Sequence, residues 1–180
     1  MKKTVTVLAI SIAVVLQTAV VNRSPLPWGV APDLVVLTLT AIALRSTPVV
    51  AAVTGFCAGL ALDALPPADS EIGRNALVLS LAGYLVSALR EATVRSAVRP
   101  YLVAAGAVLG VSLGFAFVGL VLGDPRVTVP NLMVGVPLTM GMTLAVSPLV
   151  LTPLSALLRR LSPEEYELVG ASWSSGGGAK

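Results

Sequence analysis

Apolar runs broken by short polar or proline-rich segments dominate the chain from Thr4 to Leu158. The runs are too continuous for the one-sided apolar stripe of a helix that faces water. A helix rises about 1.5 Å per residue, so roughly 20 apolar residues cross ~30 Å of hydrocarbon. Lipid offers the backbone no hydrogen bonds, and a helix satisfies them internally. The pattern predicts six spans, at about 4–21, 33–44, 49–65, 75–89, 101–122 and 127–158. The first exceeds the ~7–15-residue core of a signal peptide, and no clear small-x-small cleavage site follows it, so it is expected to remain as a span. The second is short, which places its ends in the headgroup regions. Pro25, Pro27 and Trp28 mark the first loop, Arg45-Ser46-Thr47-Pro48 a turn, Pro66-Pro67 the end of span three, and Gly123-Asp124-Pro125-Arg126 another turn. The stretch from Val127 to Leu158 is uncharged but carries Pro130, Pro137, Pro148 and Pro153. It reads as one long kinked or tilted span, with a re-entrant piece as the alternative.

A single transmembrane domain is therefore expected over residues 1–161, followed by a tail over 162–180. In that tail, Ser162-Pro163-Glu164-Glu165 is a helix-start signature, and the helix should run to Leu168. The Gly/Ser-rich end, Ser174 to Lys180, should be disordered.

Charge placement orients the spans. With the N-terminus inside, the cytoplasmic side carries Lys2, Lys3, Arg45, Arg90, Arg95, Arg99, Arg159, Arg160 and Lys180. The outer side carries Arg23, Arg74 and Arg126. This asymmetry predicts N-in, C-in and an even number of spans. Arg90, Arg95 and Arg99 would sit against anionic lipid or a cytoplasmic partner.

Composition then removes whole classes of chemistry. The 180 residues are 56% hydrophobic and 12% charged, whereas soluble domains carry about 25% charge. The net charge of +3 is too small for a nucleic-acid surface. With no histidine and a single cysteine, Cys57, neither an internal disulfide nor a His/Cys metal site can form. Cys57 lies between Gly55 and Gly59 in an apolar helix and reads as a small, unreactive packing residue. No acid/base pair or phosphate-gripping cluster marks an enzyme, and no cofactor is expected.

Small residues recur at intervals of four. Ala51, Gly55 and Gly59 share one face of span three, and Gly106, Gly110 and Gly114 share one face of span five. Such faces let another backbone approach, either from the same chain, from a partner's transmembrane helix, or from a second copy in a homodimer. Two acids lie near the membrane, Asp33 and Asp63. A charge at mid-bilayer costs at least ~2.5–3.5 kcal/mol on insertion scales, which makes such residues suspects for function. Their positions favour a helix cap for Asp33 and a helix-end anchor for Asp63, with no lysine or arginine inside a span to pair with either.

Three segments together resemble the rod shape-determining protein MreD family. They are Pro32-Asp33-Leu34, the run from Gly55 to Asp63 ending Gly59-Leu60-Ala61-Leu62-Asp63, and Ile72-Gly73 followed by a small-residue helix to Gly83-Tyr84. Asp33, Gly55, Gly59, Asp63 and Gly73 are the motif positions. The resemblance implies a non-enzymatic protein of the bacterial inner membrane, in the elongation complex that builds the lateral wall. It implies binding to the transmembrane helix of MreC, and through it links to RodA, a penicillin-binding transpeptidase and MreB. It also implies a fold similar to the substrate-binding components of energy-coupling-factor transporters. The alternative is such a vitamin-type transporter subunit, for which Trp28, Asp69, Glu71, Arg74 and Asn75 would have to line an outer cavity.

Overall fold

The computed structural model describes residues 2–23, 31–65, 72–89, 98–123 and 129–160. The expected tail helix, Trp28, Arg90 and Arg95 lie outside them. Among the described residues there is no strand, and six helices follow one another. α1 is Lys2–Leu16 and runs on as a π-helical turn, Gln17–Val21. α2 is Leu34–Ala43, α3 Pro48–Ala64, α4 Arg74–Ala88, α5 Arg99–Leu122 and α6 Val129–Arg160. Arg99 opens α5.

The punctuation acts as its residue types require. Pro48 stands in the first turn of α3 and Pro100 in that of α5, where the missing N–H has no helical partner to lose. Gly73 opens α4 at φ 99° and Gly123 ends α5 at φ 73°, left-handed conformations that suit a residue without Cβ. The uncharged final stretch is one helix, α6, with Pro137, Pro148 and Pro153 inside it. Pro148 leaves the Leu144 carbonyl without its usual amide donor, and the Ser147 hydroxyl donates to that carbonyl at 2.7 Å.

Three helices are long and apolar enough to cross a membrane: Thr4–Val21, Pro100–Leu122 and Leu132–Leu158. Leu34–Ala43 and Pro48–Ala64 are apolar but shorter. Successive helices alternate in direction. From the contacts of Gln17 with Leu34, Asp63 with Gly73, Ser87 with Ser46, Arg74 with Phe115 and Asp33 with Thr143, the ends of the helices at Lys2, Ser46, Leu89, Arg99 and Arg160 run toward one side, called basal here, and those at Val21, Asp33, Asp63, Arg74 and Leu122 toward the other, distal side.

α2 is the axis. It touches each of the other five helices, and every residue from Val35 to Ala43 is buried. A helix enclosed on all sides has no polar face to present, which accounts for the unbroken LVVLTLTAIA sequence. Its Thr40 hydroxyl is satisfied locally, donating to the Val36 carbonyl at 2.8 Å. Ile10, Ala13 and Val14 of α1, Ala58 of α3, Leu79 of α4, Ala107 and Val108 of α5 and Leu158 of α6 close around it. The outward faces carry exposed apolar side chains, among them Val7, Ile12, Val53, Phe56, Leu81, Leu113, Phe117 and Leu149. Cys57 belongs to this outward set, so it does not fill a packing space between helices as the sequence suggested.

Truncating the axis should open a cavity. Leu37→Ala, at a fully buried position, is expected to cost about 2–5 kcal/mol and to lower the thermal midpoint in detergent. Leu113→Ala, on an exposed position, should leave that midpoint nearly unchanged.

Candidate functional site

Four of the five motif positions converge on one seam between α3 and α4. Each step of four along α3 is met by a step of about four back along α4. The Ala51 carbonyl lies 2.6 Å from where a Cβ on Gly83 would sit. A Cβ on Gly55 would stand 2.2 Å from the Leu79 carbonyl oxygen, and one on Gly59 2.4 Å from the Ala76 amide nitrogen. No side chain fits at these distances, so glycine is what allows backbone to meet backbone. The face formed by Ala51, Gly55 and Gly59 is thus covered by α4 of the same chain. The matching signal in α4 was legible as Ala76, Ser80, Gly83 and Ser87, a run of small residues at helical spacing.

At the distal end of the seam Asp63 closes it. The side chain is 2% exposed. Its Oδ2 accepts from the Gly73 amide at 2.9 Å and the Ala76 amide at 3.2 Å. Its Oδ1 accepts from the Asn75 amide at 3.3 Å and the Asn75 side-chain Nδ2 at 2.9 Å. Gly73 has no side chain with which to cap α4, so a carboxylate from the preceding helix takes the exposed amides. The negative charge also complements the positive end of the α4 dipole.

Arg74 departs from the expectation that no cation enters a span. It is the first residue of α4, buried at 5% exposure, and not part of an outer loop. Its Nη2 donates to the Phe115 carbonyl of α5 at 2.7 Å, and its guanidinium carbon stands 3.6 Å from the centroid of the Phe115 ring. One residue of α5 therefore supplies both a hydrogen-bond acceptor and an aromatic face. Arg74 and Asn75 turn toward α5 and Asp63, respectively.

Asp33 is placed apart from the seam. Its Oδ1 accepts from the Val36 amide at 2.9 Å, capping α2. Its own amide donates to the Thr143 hydroxyl of α6 at 3.0 Å. Gln17, at the start of the π-helical turn, reaches the same junction: Nε2 donates to the Pro32 carbonyl at 3.1 Å and to the Asn22 Oδ1 at 2.9 Å, while Oε1 accepts from the Leu34 amide at 2.8 Å. Thr143 had no distinguishing signal in the sequence. Gln17 had one, a long amide side chain inside an apolar run, but nothing in the sequence named its partner.

The small residues of α5 differ from those of α3. Gly106 and Gly110 face open space, and a Cβ on Gly114 would stand 3.3 Å from the Val78 side chain. Gly55, Gly59, Asp63 and Gly73 are brought together; Asp33 and the α5 glycines stand elsewhere.

These features define a membrane protein that is helical over its described residues, with polar side chains that join helices and four of its five motif positions building the α3–α4 hairpin. The rod shape-determining protein MreD family matches residues 1–159, and the chain belongs to that family. No curated relative and no solved structure matches it. Membership gives the chain a part in determining rod shape, as one of a family of structural proteins not known as enzymes.

Gly55→Ala and Gly59→Ala should each separate α3 from α4 and lower the thermal midpoint in detergent by several degrees or abolish the folded state. Asp63→Leu strands buried amides and should cost about 3–5 kcal/mol, whereas Asp63→Asn keeps an acceptor and should cost less. A loss below about 1 kcal/mol for Asp63→Leu would show that the carboxylate is not the cap described here.

Proposed function

We propose that the protein is a non-enzymatic, multi-pass scaffold of the bacterial cytoplasmic membrane, with the basal end in the cytoplasm. It binds the MreC transmembrane helix and so helps hold together the lateral wall-synthesis complex, with RodA, a penicillin-binding transpeptidase and MreB as indirect partners. Family membership supports the setting. The observation that carries the contact is the difference between the two small-residue faces: the α3 set is covered by α4, while Gly106 and Gly110 of α5 are open. Among Leu102, Leu109 and Leu113, which are exposed, those glycines leave a notch into which an incoming helix can settle. Affinity then comes from van der Waals contact, since lipid tails cancel a simple hydrophobic gain. Arg90, Arg95 and Arg99 add an electrostatic hold on anionic lipid of about 1 kcal/mol each.

Gly106→Leu and Gly110→Leu should reduce co-purification with MreC at least several-fold while the thermal midpoint is kept. Cys57→Leu, on the outward side of α3, should leave it unchanged. In a rod-shaped host depleted of its own protein, the α5 variants should fail to restore rods that the unaltered chain restores. Undiminished capture by both α5 variants would overturn the placement on α5, and no capture by the unaltered chain would overturn the scaffold reading.

A further inference from the structure

Two contacts between helices fix how far α1 and α6 run past α2. The Gln17 side chain of α1 accepts from the Leu34 amide, and the Thr143 hydroxyl of α6 accepts from the Asp33 amide, so both stand level with the start of α2. From that level α2 runs about 14 Å to Ala43, α1 about 22 Å to Lys2 and α6 about 26 Å to Arg160. The last turns of α1 and α6 therefore project roughly 9–12 Å beyond the basal end of α2. α4 stops near that end, where the Ser87 hydroxyl donates to the Ser46 carbonyl at 2.6 Å.

The two projecting ends are also neighbours around the axis. Among the described residues, α3 packs on α1 and α4, and α5 packs on α4 and α6, but no comparable packing joins α6 to α1. Both rest on α2, on either side of the place where the ring is not closed helix to helix. Val5 of α1 and Leu154 and Leu158 of α6 join the apolar cluster that contains Ile42, near the end of α2. The ends themselves are basic: Lys2 and Lys3 open α1, Arg159 and Arg160 close α6, and Arg45 follows α2. The acids among the described residues, Asp33 and Asp63, lie toward the distal side, which leaves the described basal end uniformly positive.

We infer that the basal ends of α1 and α6 hold the headgroup of a phospholipid with two phosphodiesters, of the cardiolipin type. Lys2 and Lys3 take one phosphate, Arg159 and Arg160 the other, with Arg45 at the end of the helix that both rest on. Two basic pairs on separate helices match two phosphates on one headgroup, and the arginine fork suits phosphate oxygens. Basic sites between transmembrane helices are places where such headgroups bind. Exposed Val7, Leu8 and Leu157, on the same projecting stretches, give the acyl chains an apolar surface. This is a located site, unlike the general hold of Arg90, Arg95 and Arg99 on anionic lipid, and it does not rest on the contact with MreC.

Titration of the purified full chain in detergent, with bound lipid counted by native mass spectrometry, tests the site. Cardiolipin should be retained at least about fivefold better than phosphatidylglycerol at equal phosphate, with one molecule bound per chain. Lys2→Gln with Lys3→Gln, and separately Arg159→Gln with Arg160→Gln, should each lower that retention about fivefold or more. Either pair suffices if the other impairs folding. Arg90→Gln with Arg95→Gln removes the same charge from the same side and should change retention less than about twofold. Equal losses for all three pairs, or no preference over phosphatidylglycerol, would overturn the site. Retention that begins only when residues 162–180 are removed would give the position to Glu164, Glu165 and Glu167 of the tail, and would overturn it equally.

Discussion

The close approach of α3 and α4 is the constraint on which the rest of the bundle depends. Backbone atoms of Leu79 and Ala76 occupy the places where side chains at Gly55 and Gly59 would otherwise project. In lipid there is no hydrophobic gain in bringing two apolar helices together, so contact has to come from dispersion over surfaces that fit. Glycine provides that fit, and Asp63 then binds the amides at the start of α4, so that one helix ends where the next is capped. With α4 held, Arg74 projects to Phe115 and brings in α5, and Leu79 takes its place against α2.

The same logic separates polar groups that join helices from polar groups that meet a ligand. Asp63, Asn75, Arg74, Gln17 and Ser87 each donate to or accept from another part of this chain. A buried polar atom without such a partner would be costly in a low-dielectric interior, so committed groups stabilise the arrangement. That distribution suits a protein that acts by binding and positioning others. It also gives the two small-residue faces different parts, because α3 uses its own within the chain and α5 leaves its own open.

Several local devices could be read directly from residue types. Pro48 starts a helix, Gly73 and Gly123 adopt left-handed turns, and Asp33 caps the helix it precedes. The motif positions could also be named from the sequence, and the family to which they point is the one the chain belongs to. What could not be read was pairing. The spacing of Gly55 and Gly59 is compatible with any close helix, and only the placement of Ala76, Leu79 and Gly83 selects α4. Arg74 looked like a loop cation because it closes the polar segment that begins at Ala68; its burial depends on Phe115, some 40 residues away.

By itself the sequence determined that the chain is helical, that its helices fall where apolar runs lie between prolines, glycines and charges, and that neither a His/Cys metal site nor an internal disulfide can form. These follow from properties of single residues and near neighbours: hydropathy, backbone freedom and the lack of histidine. The tertiary structure alone decided that α2 is the enclosed axis, that α3 spends its small face on α4, that Asp63 caps a helix other than its own, and that Gly106 and Gly110 of α5 stay open. Those outcomes depend on which surfaces meet across long separations in the chain, and in a bilayer nearly every helix surface is apolar enough to be a candidate. Shape and the placement of a few polar atoms make the choice, and neither is visible until the helices are side by side.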